Sequence, residues 1–181
     1  MYDYVIFDAD HTIIDFDADE RRAFYAAFRA AGKDPTADMV EACWRFSADT
    51  HVREIMAFAD GAFGLGAQRE RAEWVFTEAL SAAAHPVEDA PAVLAALSPR
   101  YKLCVATNGL SSMQAGRLAP LSPFLCRTFI SEEMGFIKPN PAFFRAMTEE
   151  LGAEPSRCLM VGDSLGSDVA GANAAGMDCI W

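Results

Sequence analysis

Tyr4-Val5-Ile6-Phe7 is an unbroken apolar run that stops at Asp8-Ala9-Asp10. A strand with one face in water alternates apolar and polar residues, whereas a short run without alternation is buried on both faces. The pattern recurs along the chain. Leu103-Cys104-Val105-Ala106 ends in Thr107-Asn108-Gly109, Thr128-Phe129-Ile130 ends in Ser131-Glu132-Glu133, and Cys158-Leu159-Met160-Val161 ends in Gly162-Asp163-Ser164. A fifth candidate is Cys179-Ile180-Trp181. Helical patterns separate the last four runs. Buried strands alternating with helices predict an α/β fold on a doubly wound parallel sheet.

Between the first two strands the texture changes, and residues 17–86 contain no strand pattern. Ala23, Phe24, Ala27, Phe28 and Ala31 form a helical stripe that Gly32 can end. Val40, Cys43, Trp44, Ser47 and His51 continue with helical spacing, Asp60-Gly61 breaks it, and Gly61 to Gly66 reads as a flexible connection. Ala72, Val75, Phe76, Ala79 and Leu80 form a third stripe, closed by His85-Pro86. The expected organisation is a sheet domain over 1–16 and 87–181 carrying a helical insert over 17–86, with the Phe and Trp stripes as the insert's core.

The chain has 181 residues, enough for one compact domain with such an insert. Lys and Arg number 15 against 26 Asp and Glu, a formal charge of −11. So acidic a chain repels nucleic-acid phosphates and anionic lipid heads, so neither is an expected partner. No apolar run approaches the roughly 20 residues that span a bilayer, and Met1-Tyr2-Asp3-Tyr4 has no basic start of a signal peptide. The five cysteines are too dispersed for a Cys-x-x-Cys zinc or redox motif. A reducing cytoplasm is the expected compartment.

Ligands of open parallel sheets sit beyond the carboxyl ends of the strands. The candidates there are Asp8, Asp10, Thr107, Asn108, Asp163 and, further on, Asp168. Aspartates converging on one sheet edge repel one another unless a cation neutralises them. An all-oxygen set suits Mg²⁺, which accepts one or two carboxylates plus a phosphate and keeps several waters. Taken alone, Asp8 and Asp10 read equally well as turn caps.

The order of the parts carries more. Asp8-Ala9-Asp10-His11-Thr12, Thr107-Asn108-Gly109, Lys138-Pro139 and Gly162-Asp163-Ser164 with Asp168 follow one another in the chain. In this it resembles the haloacid dehalogenase superfamily, most densely from Ser131 to Trp181. The resemblance implies a Rossmann-like core with an α-helical cap of the first class inserted after the first strand. It implies a Mg²⁺-dependent phosphatase acting on a small phosphomonoester through an aspartyl-phosphate. Asp8 would be the nucleophile and Asp10 the general acid, then the base. Thr107 and the amides near Asn108 and Gly109 would hold the phosphoryl oxygens, and Lys138 would offset the negative charge. Asp163 would bind Mg²⁺ beside Asp8 and the backbone carbonyl of Asp10, with Asp168 as an outer-shell group. The physics agrees, because a carboxylate attacks a phosphate dianion only if their repulsion is screened.

The stretch from Phe7 to Asp17 is similar to the pyrimidine 5′-nucleotidase branch, which favours a nucleoside 5′-monophosphate as substrate. Sugar-phosphate or phosphoglycolate-type phosphatases and phosphoglucomutases are the alternatives within the superfamily. A receiver-like phospho-acceptor signalling domain is the alternative outside it, and a non-catalytic module that kept the fold is a third class. Asp10 argues against a dehalogenase, whose leaving halide needs no proton. His11 stands where Gly or Glu is usual in the superfamily and reads either as a leaving-group contact or as a loop residue. The fifth strand is expected to be a bare edge that invites pairing into a homodimer.

Overall fold

The computed structural model of the protein describes residues 1–47 and 52–181. His51 lies outside the described residues. Two compact units emerge: Met1–Asp15 with Ala84–Trp181, and Phe16–Ala83.

The first unit holds a parallel sheet of strands β1 (Tyr4–Phe7), β2 (Lys102–Thr107), β3 (Arg127–Ile130), β4 (Cys158–Val161) and β5 (Asp178–Ile180), in the order β3-β2-β1-β4-β5. The lack of polar alternation in β1 has the expected cause, since both faces of the sheet are covered. Tyr4, Ile6, Cys104, Ala106, Phe129 and Met160 pack on one side with Phe143, Phe144, Met147 and Ala172. Val5, Phe7, Leu103 and Val105 pack on the other with Ala90, Leu94, Leu118 and Leu121. β5 is an edge strand with Ile180 exposed.

The second unit contains helices α1 (Phe16–Ala30), α2 (Ala37–Ser47), α3 (Val52–Phe63) and α4 (Arg69–Ala82). Their apolar stripes meet: Phe24 lies against Phe76 with ring centroids 4.7 Å apart, and Phe28 and Phe63 meet edge to face with centroids 5.6 Å apart. Two expectations are corrected here. Asp60-Gly61 does not end a helix, because α3 runs through it to Phe63 and the chain turns only at Gly64, with φ 67°. A helical glycine costs about 1 kcal/mol relative to alanine, and burial of Ile55, Met56 and Ala59 on the same helix outweighs that. Nor are the tryptophans core. Trp74 is 64% exposed. Trp44 is half-buried beneath the Arg21 guanidinium, 3.7 Å from the ring centroid, and donates its indole N–H to Asp17.

In the first unit the chain continues through α5 (Ala90–Leu97), α6 (Ser111–Leu118), α7 (Ser131–Met134), α8 (Pro141–Leu151) and α9 (Ala170–Ala174). His85-Pro86 belongs to this unit: the His85 carbonyl accepts from the amide of Asp15, and Pro86 bridges to Ile14. Asn140 caps α8 by accepting from the amide of Ala142, with Pro141 in its first turn, as the side-chain chemistry dictates.

Candidate active site

All strands run parallel, so their polar ends collect on one edge of the sheet. Phe7 pairs with Val105 on one side and Val161 on the other, which brings the segments after β1, β2 and β4 side by side. The amide of Asp8 donates to the Val161 carbonyl at 2.8 Å and continues that pairing.

Lys138 connects these segments. Its ammonium donates to Asp8 Oδ1 at 2.6 Å, Asp168 Oδ1 at 2.6 Å and the Ala106 carbonyl at 2.7 Å, which occupies its three protons. Lys138 is 3% exposed and Asp168 fully buried. A buried lysine is tolerated where carboxylates neutralise it and every proton is taken. The second oxygen of Asp168 accepts from the amide of Ser164 at 3.1 Å, so Asp168 is held from both ends. Burial pushes the Asp8 carboxyl up from 3.8 to about 7, with Lys138 pulling the other way.

Carboxylate oxygens of Asp8, Asp163 and Asp168 lie within 4.8 Å of one another, with Asp163 exposed and the other two buried. The donors are all hard oxygens, and one carboxylate opens to solvent. That set fits Mg²⁺, which retains waters, better than a thiolate-seeking metal.

Thr107 is 1% exposed, and its hydroxyl lies at the end of β2, donating to the Asn108 carbonyl at 3.2 Å. The Asn108 side chain turns to the backbone of Lys138, accepting from its amide at 2.8 Å and donating to its carbonyl at 3.1 Å. Asn108 thus locks the lysine loop to β2. The Gly109 amide donates to Ser131 Oγ at 2.9 Å, so of the expected phosphate donors this one is already engaged by the protein. His11 is exposed and sits at φ 60°, a left-handed conformation that is uncommon outside glycine.

Two residues at the site carry no signal in a motif reading. Gln114 and Arg117, both buried on α6, meet the Asp10 carboxylate: Gln114 Nε2 donates to Oδ2 at 3.0 Å, and Arg117 Nη1 is 2.5 Å from Oδ1. The available hint is a polar pair spaced i, i+3 on the helix that also carries Leu118.

An open parallel sheet with acids and a saturated lysine at its carboxyl edge defines an α/β enzyme. The family model of haloacid dehalogenase-like hydrolases matches residues 2–176, and the chain belongs to that family. The pyrimidine 5′-nucleotidase PynA of Streptococcus pneumoniae is 32% identical, the match covering all of this chain and 84% of PynA. The pyrimidine 5′-nucleotidase YjjG of Escherichia coli is 30% identical over 99% of this chain and 85% of its own length. A crystal structure of the putative HAD-hydrolase YfnB from Bacillus subtilis, bound to magnesium, superimposes with a TM-score of 0.87 at 28% identity, covering 99% of this chain and 86% of YfnB. The chain is therefore a hydrolase. No helix among the described residues is long and apolar enough to cross a membrane.

Proposed function

We propose that the protein is a Mg²⁺-dependent phosphatase that hydrolyses nucleoside 5′-monophosphates, pyrimidine nucleotides first among them, through an aspartyl-phosphate on Asp8. The observation that carries the reading is the Asp8–Lys138–Asp168 cluster beside the exposed Asp163. The likeness to two pyrimidine 5′-nucleotidases over nearly the whole chain supports the substrate class.

Asp8 and Asp163, with the backbone carbonyl of Asp10, would hold the metal, and Asp168 orients from behind. When bound, the ion supplies positive charge that screens the nucleophile from the phosphate dianion. Asp8 forms the new bond to phosphorus while the ester oxygen leaves with the bonding pair. Asp10 gives that oxygen its proton, then takes one from the water that cleaves the aspartyl-phosphate. Lys138, anchored by Asp168, fixes the Asp8 carboxylate and balances the charge that accumulates beside it. Thr107 offers a hydroxyl to the phosphoryl oxygens. These groups all address the phosphoryl unit, which every phosphomonoester shares, so they do not choose among leaving groups.

The test is phosphate release from pyrimidine and purine nucleoside 5′-monophosphates and from sugar phosphates, with Mg²⁺ and with EDTA, and a search for added phosphate mass on Asp8. Mg²⁺-dependent release that ranks pyrimidine nucleotides first is the expected result. Failure to hydrolyse any phosphomonoester would overturn the reading, and a sugar phosphate ranking first would overturn the substrate assignment.

A further inference from the structure

The Asp10 carboxylate is gripped at both oxygens by one helix. Gln114 and Arg117 stand i, i+3 on α6 and therefore share a face. Gln114 donates to Oδ2 at 3.0 Å, and the Arg117 guanidinium lies 2.5 Å from Oδ1. The amide nitrogen of Gln114 also reaches the Thr107 hydroxyl at 3.2 Å and the Asn108 carbonyl at 3.3 Å. These acceptors settle the orientation of the amide, since reversing it would aim its oxygen at a carboxylate. Gln114 and Arg117 are 3% and 1% exposed. A guanidinium is buried only where a partner charge offsets its lost hydration, and here that partner is Asp10.

Space for this arrangement is reserved in the backbone. Gly109, at φ 147°, sits where a side chain would meet Gln114 Nε2 at 3.1 Å. Any larger residue there would be strained and would crowd the amide.

A free aspartate carboxylate rotates broadly about its last torsion. Proton transfer requires the right oxygen within hydrogen-bond reach of the leaving atom. A hydrogen bond on Oδ2 and the guanidinium charge paired with Oδ1 restrict the rotation, and the Gln114 bridge ties that orientation to Thr107, which belongs to the phosphate-binding strand end. We propose that Gln114 and Arg117 are positioning residues that clamp the Asp10 carboxylate for proton transfer and couple its orientation to Thr107. The inference rests on the phosphatase reading above.

The test is a double-mutant cycle. Gln114→Met and Arg117→Met, with Arg117→Lys as the milder second variant, are made in the wild type and in Asp10→Asn, and each is checked for folding by circular dichroism. In the wild-type background, kcat for an alkyl phosphomonoester should fall about 10- to 100-fold, part of the roughly 10²- to 10⁴-fold that general acid–base help supplies, with KM little changed. p-Nitrophenyl phosphate needs no proton on its leaving group, so its first step should survive and release a burst of nitrophenolate near one per enzyme. Arg117→Lys should recover part of the alkyl-phosphate rate. In Asp10→Asn the same substitutions should add almost nothing, because residues acting through one group are not additive. Equal, additive losses in both backgrounds, or no difference between the two leaving groups, would overturn the clamp while leaving the phosphatase reading intact. A wild-type protein inactive on every phosphomonoester would overturn both.

Discussion

Lys138 Nζ stands 2.6 Å from Asp8 Oδ1, although 130 positions separate the two residues in the chain. Both are buried, and the same ammonium contacts Asp168 at 2.6 Å. A single cation therefore serves two carboxylates, so with both ionised the trio carries a net negative charge in a poorly hydrated place. That imbalance does not stabilise the fold, and it is what a cationic ligand would relieve.

Removing the lysine charge exposes the imbalance. Lys138→Met leaves Asp8 and Asp168 facing each other without a counter-charge, a situation that typically costs about 3–5 kcal/mol. The urea midpoint should fall accordingly, and activity should be lost. Adding Asp8→Asn to Lys138→Met should restore part of the stability. No loss in the single variant would mean that the ion pair is not formed in solution.

The raised Asp8 carboxyl makes stability depend on pH. Below its ordinary value of 3.8 the group is protonated folded or unfolded and contributes no difference. Between 3.8 and about 7 the unfolded chain releases a proton that the folded protein retains, so stability falls as pH rises through that window. Above it the penalty is complete, at about 1.4 kcal/mol for every tenfold difference in proton affinity between the folded and unfolded chain. In EDTA, Asp8→Asn should therefore be inactive yet more stable than wild type near pH 8, with the advantage fading towards about pH 4. Urea titrations across that range check it, and a less stable variant at the alkaline end would refute it.

Metal binding should read out as stability. A ligand present at 100 times its Kd and bound only by the folded state adds about 2.7 kcal/mol. For a chain of this size that raises Tm by about 5–10 °C. Mg²⁺ should produce such a shift in the wild type and EDTA should reverse it. Asp163→Asn should abolish the shift with little loss of apo stability, since Asp163 is exposed. An unchanged response in that variant would remove Asp163 from the metal site.

Two glycines that follow β4 should behave oppositely, Gly162 in the connection and Gly166 in the helical turn Leu165–Val169. A side chain at Gly162 would come within 2.4 Å of Asp168 Oδ2, whereas one at Gly166 would meet nothing within 4 Å. Gly162→Ala must displace Asp168 from the Ser164 amide and from Lys138, which should cost about 1–3 kcal/mol and a large part of kcat. Gly166→Ala should leave both near wild type. Thermal melts and steady-state rates distinguish the pair.

Much of the architecture is encoded locally. Tyr4 to Phe7 reads as a strand buried on both faces because it has no polar alternation, and Asp8, Asp10 and Asp163 stand out because charged residues end such strands. Asp60-Gly61 misleads, because a glycine's local helix penalty is small beside the burial of Ile55 and Met56 on the same helix. Arg117 is invisible in the sequence, because an arginine in a short helix looks solvent-facing unless its buried partner is known.

Sequence alone determined which segments are strands and which acids end them, because side-chain polarity and backbone periodicity act over a few residues. Tertiary structure decided the pairing: the order β3-β2-β1-β4-β5 sets β1 between β2 and β4, so Asp8 emerges beside the ends of both. Only there does Lys138 meet Asp8 and Asp168, and only there do Gln114 and Arg117 meet Asp10. Charge pairing and desolvation depend on distance in space and on what excludes water, and neither is a property of a stretch of chain.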